Sequence, residues 1–177
     1  MKKILLILFI FTTLGIHAQS ENEYETTDFH EPKLNIGYMI LGNFDVTYEY
    51  LISQESGVGL NLMVPFDDYI EWNIKYNFTG FYRFYFTDNY ADGIFAETFL
   101  NLNQVEDEIN DDINGGKKDK NITDLAIGLG VGYKLVSGGG VILEAHLGGG
   151  RNLFSDYNSE RNFDFVLRAG INVGYRF

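Results

Sequence analysis

Four groups of residues in this chain are of types that do chemistry elsewhere. His146 is the single histidine between residues 33 and 177, so general acid–base work in that stretch would centre on it. The run EDEINDD at 106–112 offers carboxylates to a divalent cation, but it lacks the ligand spacing of an EF-hand, and a solvated loop is the simpler reading. The Gly-x-Gly-x-Gly run at 128–132 is followed by neither a helical pattern nor Lys-Ser/Thr, both of which a phosphate-cradling loop needs. Glu49, Arg83, Glu97, Lys134, Glu144 and Arg168 carry both signs of charge and suit mutual ion pairing. None of these groups makes a catalytic set, and no metal or cofactor is expected. With no cysteine, disulfide frameworks, Cys-ligated zinc, iron–sulfur clusters and thiol nucleophiles are excluded.

What these side chains can do depends on the elements that hold them. A length of 177 residues fits one domain, and 16% aromatic residues is too rich for a disordered chain. The excess of 25 acidic over 13 basic residues argues against nucleic acid as a partner, because phosphate binding needs clustered Lys and Arg. From Lys33 onward no segment keeps a 3.6-residue period, whereas eight segments alternate with period two. In ITDLAIGLGVGYKLV (122–136), Leu125, Ile127, Leu129, Val131, Tyr133 and Leu135 take one face, while Asp124, Ala126, the three glycines and Lys134 take the other. FDFVLRAGINVGYRF (163–177) repeats the pattern, and the other strands are expected near 33–42, 44–52, 57–65, 71–86, 93–104 and 140–152.

Ahead of the strands, Lys2 and Lys3 precede an apolar run at 4–11 that is too short to cross a bilayer, and small and polar residues lead to Ala18. Residues 1–18 read as a signal peptide cleaved after Ala18. Its removal would take the net charge from −12 to −14, since two lysines leave. Residues 19–32 are acidic and non-periodic and read as a flexible tail, which leaves 33–177 as the folded unit.

The fold class follows from the connections and from the two faces. Short turns at 53–56, 87–92 and 137–139 alternate with longer polar segments, including 105–121 and 153–162, as in an eight-stranded antiparallel up-and-down transmembrane β-barrel with periplasmic termini. The turn at Gly42 and Asn43 is the exception, being tight on the side of the long loops. A soluble barrel would have to enclose the apolar face, but an eight-stranded interior has no room for so many large side chains. The face of Gly, Asn, Thr and charges fits inside, so the apolar face points to lipid. Tyr48, Tyr50, Tyr82, Phe84, Phe86, Tyr133, Tyr175 and Phe177 then line up at one end as an interfacial aromatic girdle.

The stretches KLNIGYMILGNFDVTYEYLI (33–52), YRFYF (82–86), GGGRNLF (148–154) and GINVGYRF (170–177) resemble the small outer-membrane barrels of Gram-negative bacteria. They resemble more closely a family of short barrels known only as a domain of unknown function. The resemblance implies residence in the outer membrane, contact with its lipid, and use of Tyr175 and Phe177 as a C-terminal signal for the barrel-insertion machinery. It implies no activity.

Hairpin symmetry takes the reading further. If the fourth and fifth strands pair with residue numbers summing to 180, Phe86 faces Ile94 outside and Arg83 faces Glu97 inside. A sum of 278 likewise pairs Leu135 with Leu143 outside and Lys134 with Glu144 inside. Glu49 and Arg168 are inward by parity, so the six charges form a network in the periplasmic half of the lumen, paired because an unpaired buried charge is expensive. His146 is also inward and reads as a hydrogen-bonded lumen residue. Arg151 falls on the lipid-facing parity, which suggests a bulge at Gly148–Gly150 in preference to a side chain snorkelling to lipid phosphates. The expected role is non-enzymatic, structural or surface-interacting, through loops 65–70, 105–121 and 153–162; a narrow ion or solute channel is the alternative.

Overall fold

The computed structural model describes residues 29–67, 74–111, 116–154 and 165–177, without the side chains of 106–120. The expected signal peptide and most of the expected tail lie outside the described residues. Eight strands, β1 (His30–Asn35), β2 (Asn43–Ser53), β3 (Ser56–Pro65), β4 (Ile74–Tyr85), β5 (Gly93–Asp111), β6 (Gly116–Val136), β7 (Val141–Asn152) and β8 (Phe165–Tyr175), pair in chain order into a closed barrel. Every neighbouring pair is antiparallel, and β1 closes on β8. His30 and Phe177 exchange backbone hydrogen bonds of 3.0 and 3.1 Å, so both ends of the barrel segment meet at one rim, called here the termini rim.

Alternation sends successive side chains to opposite sides of the wall. Outside stand large apolar groups such as Leu129, Val131 and Phe165, exposed by 71%, 62% and 62%. Inside, among the described residues, 22 polar or charged side chains are buried against nine hydrophobic ones. A water-soluble protein buries the opposite set, so this barrel is inside out relative to one that folds around an apolar core.

Glycines make the crowded interior possible at particular places. Phe81, Phe95 and Phe99 point inward and lie across the strand from Gly59, Gly132 and Gly128. Their rings occupy the space that a Cβ on those glycines would need. Each glycine thus acts as a recess for the ring of its cross-strand partner.

Four sequence expectations are corrected. The first strand is not 33–42: it starts at His30, inside the expected tail, and ends at Asn35. Continuing it would have placed apolar Met39 and Leu41 in the lumen. The chain instead turns into a short helix, α1 (Ile36–Ile40), whose Tyr38 N–H donates to the Asn35 side chain at 3.3 Å, and Gly42 at φ +81° closes the turn. Residues 105–121 are not simply a loop, since β5 and β6 stay in register from Val105↔Ile122 to Asp111↔Gly116. Polar composition disguised these strands, because their sequence does not alternate apolar with polar residues. Finally, Gly148–Gly150 form no bulge, as β6 and β7 keep one register from Val136↔Ile142 to Ala126↔Asn152. Gly148 and Gly150 lie close against Gly130 and Gly128, in a thin patch of wall that makes room for Phe99, and Arg151 is exposed on the outer face.

Candidate functional site

The register brings the expected charges together. Arg83 on β4 faces Glu97 on β5, and Lys134 on β6 faces Glu144 on β7, at the expected sums of 180 and 278. Arg83 donates from Nε to Glu97 at 2.9 Å, from Nη1 to Glu49 at 2.8 Å and to Glu144 at 2.6 Å, and from Nη2 to the second Glu144 oxygen at 3.0 Å. Arg168 donates to the other Glu97 oxygen. One guanidinium therefore ties three strands to its own, which its planar fork of donors allows and an ammonium could not match.

Four further residues join this lattice. Lys33 reaches Glu49 at 2.5 Å, Glu144 at 2.7 Å and Glu31 at 3.4 Å. Lys134 reaches Glu31 at 2.6 Å and Glu49 at 3.1 Å, and it also donates to the Tyr85 hydroxyl, which donates to Glu49 at 2.5 Å. Arg176 donates from Nε to Glu31 at 2.7 Å. Glu31, Lys33, Glu49, Arg83, Lys134 and Glu144 are at most 2% exposed. In such a dry interior each charge is held by the others, and the remaining lone pairs are taken by hydroxyl and amide groups such as Tyr85 and Asn172.

Below the lattice, toward the termini rim, the lumen is apolar. Leu51, Tyr85, Ala91 and Phe95 are buried together, with Phe29 and Tyr90 packed against them. Ala91 sits in the β4–β5 turn at φ +42°, a conformation that costs a residue with a Cβ about 1–2 kcal/mol. It is held there by its N–H on Gln54 O at 2.7 Å and by Arg176, which donates to Tyr90 O and Ala91 O at 2.9 and 2.8 Å. The turn is thereby folded under the barrel as an apolar lid beneath the ionic layer.

With this geometry described, comparison with known proteins adds one likeness. The N-terminal β-barrel domain of Pseudomonas aeruginosa OprF is similar to this chain at 16% identity and a TM-score of 0.48, over 84% of this chain and 93% of that one. A likeness of that degree carries nothing about what the chain does. No family model matches the chain, and no curated protein matches it in sequence.

The remaining expected residues fall as follows. Tyr48, Tyr50, Tyr82, Phe84, Phe86, Tyr133, Tyr175 and Phe177 are all exposed on the outer surface toward the termini rim. Phe84 meets Phe86 edge-on at 5.1 Å, and His30 stacks on Phe177 at 5.8 Å. His146 is buried, with Nδ1 3.3 Å from Asn172 and 3.6 Å from Glu144. Of the acidic run, 106–111 belongs to β5 with side chains outside the description, and residue 112 lies outside the described residues. Among the described side chains no group of three or more His, Asp or Glu is placed to hold a metal ion.

Glu31, Lys33, Tyr85 and Arg176 went unassigned in the sequence. For Glu31 and Lys33 the signal was there: carrying the inward parity of Asn35 back through Lys33 reaches Glu31. Tyr85 has the parity opposite to that of Tyr82, Phe84 and Phe86, and that inward parity is its signal in the sequence.

Proposed function

We propose that this chain is a non-enzymatic β-barrel of the Gram-negative outer membrane, with a structural or surface-interaction role presented at the rim away from the termini. The observation that carries the reading is the doubly closed lumen, an ionic layer buried throughout lying over an apolar lid. A conducting pore needs a continuous wet path, and an eight-stranded interior filled by its own side chains leaves none. The apolar outer face supports the membrane setting. About ten residues per strand, at ~3.3 Å rise and ~40° tilt, span about 25 Å, the height of the apolar band in such barrels. The aromatic residues at the termini rim suit the interface, and Tyr175 with Phe177 suits recognition by the insertion machinery.

Planar-bilayer recording tests the role. Purified protein should give no steady openings, and Glu97→Gln should leave the trace silent. Regular openings whose conductance changes with Glu97→Gln would establish the channel reading instead.

A further inference from the structure

One seam of the barrel wall is laddered over only part of its length. β7 pairs with β8 from Val141↔Tyr175 to Arg151↔Phe165, but β1 pairs with β8 only at Lys33↔Gly174, Leu34↔Val173 and Asn35↔Asn172. Where β1 would continue, α1 lies against β8. A helix spends its backbone groups internally and offers no ladder to a strand edge. From Ile171 back to Phe165, β8 therefore has no strand partner on this side, and Ala169 O is met instead by the Asn35 amide at 3.4 Å.

A small cavity of about 30 Å³ lies behind this seam, bordered by Tyr38 of α1, Asp45, Asn77, His146, Leu167 and Arg168. Arg168 is 8% exposed; its Nη1 is paired with Glu97, and its buried Nη2 has no hydrogen-bond partner. Asp45 shares the cavity, but its two oxygens already accept the amides of Asn61 and Asn35. Two groups bordering the cavity are thus unanswered, the Arg168 Nη2 donor and the Asn77 Oδ1 acceptor, and an oxyanion that keeps one proton, such as a monoprotonated phosphate, supplies both the missing acceptor and the missing donor. Outside the seam, Leu34, Met39, Ile40, Leu167 and Ile171 are all exposed and apolar.

We propose that the cavity binds the oxyanion head, a phosphate that keeps one proton, of an acyl-chain amphiphile that enters sideways between α1 and β8. The head meets Arg168 while the chain stays on the apolar rim, so neither part occupies the wrong medium. The lattice under Arg168 closes the floor, which makes this a binding pocket and not a passage. The proposal rests on the outer band facing lipid. That reading fails separately, if the chain folds to a monodisperse barrel in buffer without detergent.

The test uses the full barrel refolded in dodecyl maltoside and titrated with dodecyl phosphate or with inorganic phosphate, followed by the Arg168 Nε–H and the Tyr38 and Ala169 amide resonances. Dodecyl phosphate should shift these signals saturably and at least tenfold more tightly than inorganic phosphate, and Arg168→Lys should weaken it at least tenfold. Equal response to both phosphates would mean a free-ion site and overturn the sideways route. Shifts spread evenly over the outer face, or none at these residues, would overturn the site, and the wild-type titration decides this even if Arg168→Lys fails to fold.

Discussion

Arg83 concentrates much of the interior's order. Its guanidinium lies over the Phe81 and Phe95 rings at 4.5 and 4.3 Å while its edge holds Glu49, Glu97 and Glu144, so it is packed from its faces and paired around its rim. Truncation would leave three carboxylates in a dry interior with their shared cation gone. Arg83→Ala should therefore destabilise the barrel by about 3–5 kcal/mol, read as a lowered urea midpoint in micelles. Arg83→Met should cost less than Arg83→Ala, because it strands the same carboxylates but keeps the volume filled. An unchanged midpoint for Arg83→Ala would show that the lattice does not support the fold. The six residues of this lattice that the sequence discloses share one property: each sits within a strand, where parity fixes its face, and for Arg83, Glu97, Lys134 and Glu144 a hairpin sum also fixes a partner. Arg176 lies one residue past the end of β8, and besides Glu31 its partners are backbone carbonyls of a folded-under turn, which no strand register encodes.

At the scale of elements, period two located all eight strands, and it failed where a face carries no contrast. IGYMIL at 36–41 is apolar on both parities, so alternation could not say that the strand had stopped; the deciding residue is Asn35. Its carbonyl oxygen caps α1 and its amide reaches Asp45 at 3.2 Å and Ala169 O at 3.4 Å, so one side chain ends β1, starts the helix and fastens the helix to β8. Asn35→Ala should cost about 1 kcal/mol in stability, the usual value of an N-cap. It should also speed hydrogen exchange selectively at the amides of Leu167, Ala169 and Ile171. Exchange that quickens equally around the barrel would mean that Asn35 does not hold this seam. The β5–β6 hairpin shows the opposite failure: its outer part pairs as regularly as the rest, yet its polar sequence carries no mark of a buried face.

For the molecule as a whole, average composition is a poor guide, because a mean taken along the chain merges two surfaces that alternate residue by residue. An overall charge of −12 and 45% hydrophobic residues describe an ordinary acidic protein, whereas sorting the same residues by parity separates a charged interior from an apolar exterior. That separation has a quantitative consequence if the wall faces lipid, because the medium outside it would then change with height. Leu129 stands on the outer face in the middle of β6, opposite Thr98 and Gly149, while Val141 opens β7 at the termini rim, opposite Tyr175. If the wall faces lipid, Leu129→Arg should destabilise the barrel in phospholipid vesicles by about 2–4 kcal/mol and Val141→Arg by at most about 1, because an arginine near the interface reaches water and one at mid-height does not. Arg151, near the opposite end of β7 and exposed, is the natural instance of the tolerated case. Reversible urea unfolding in vesicles measures both variants. Equal costs at the two heights would remove the lipid from the explanation, since a wall bathed by water has no depth for a charge to sense.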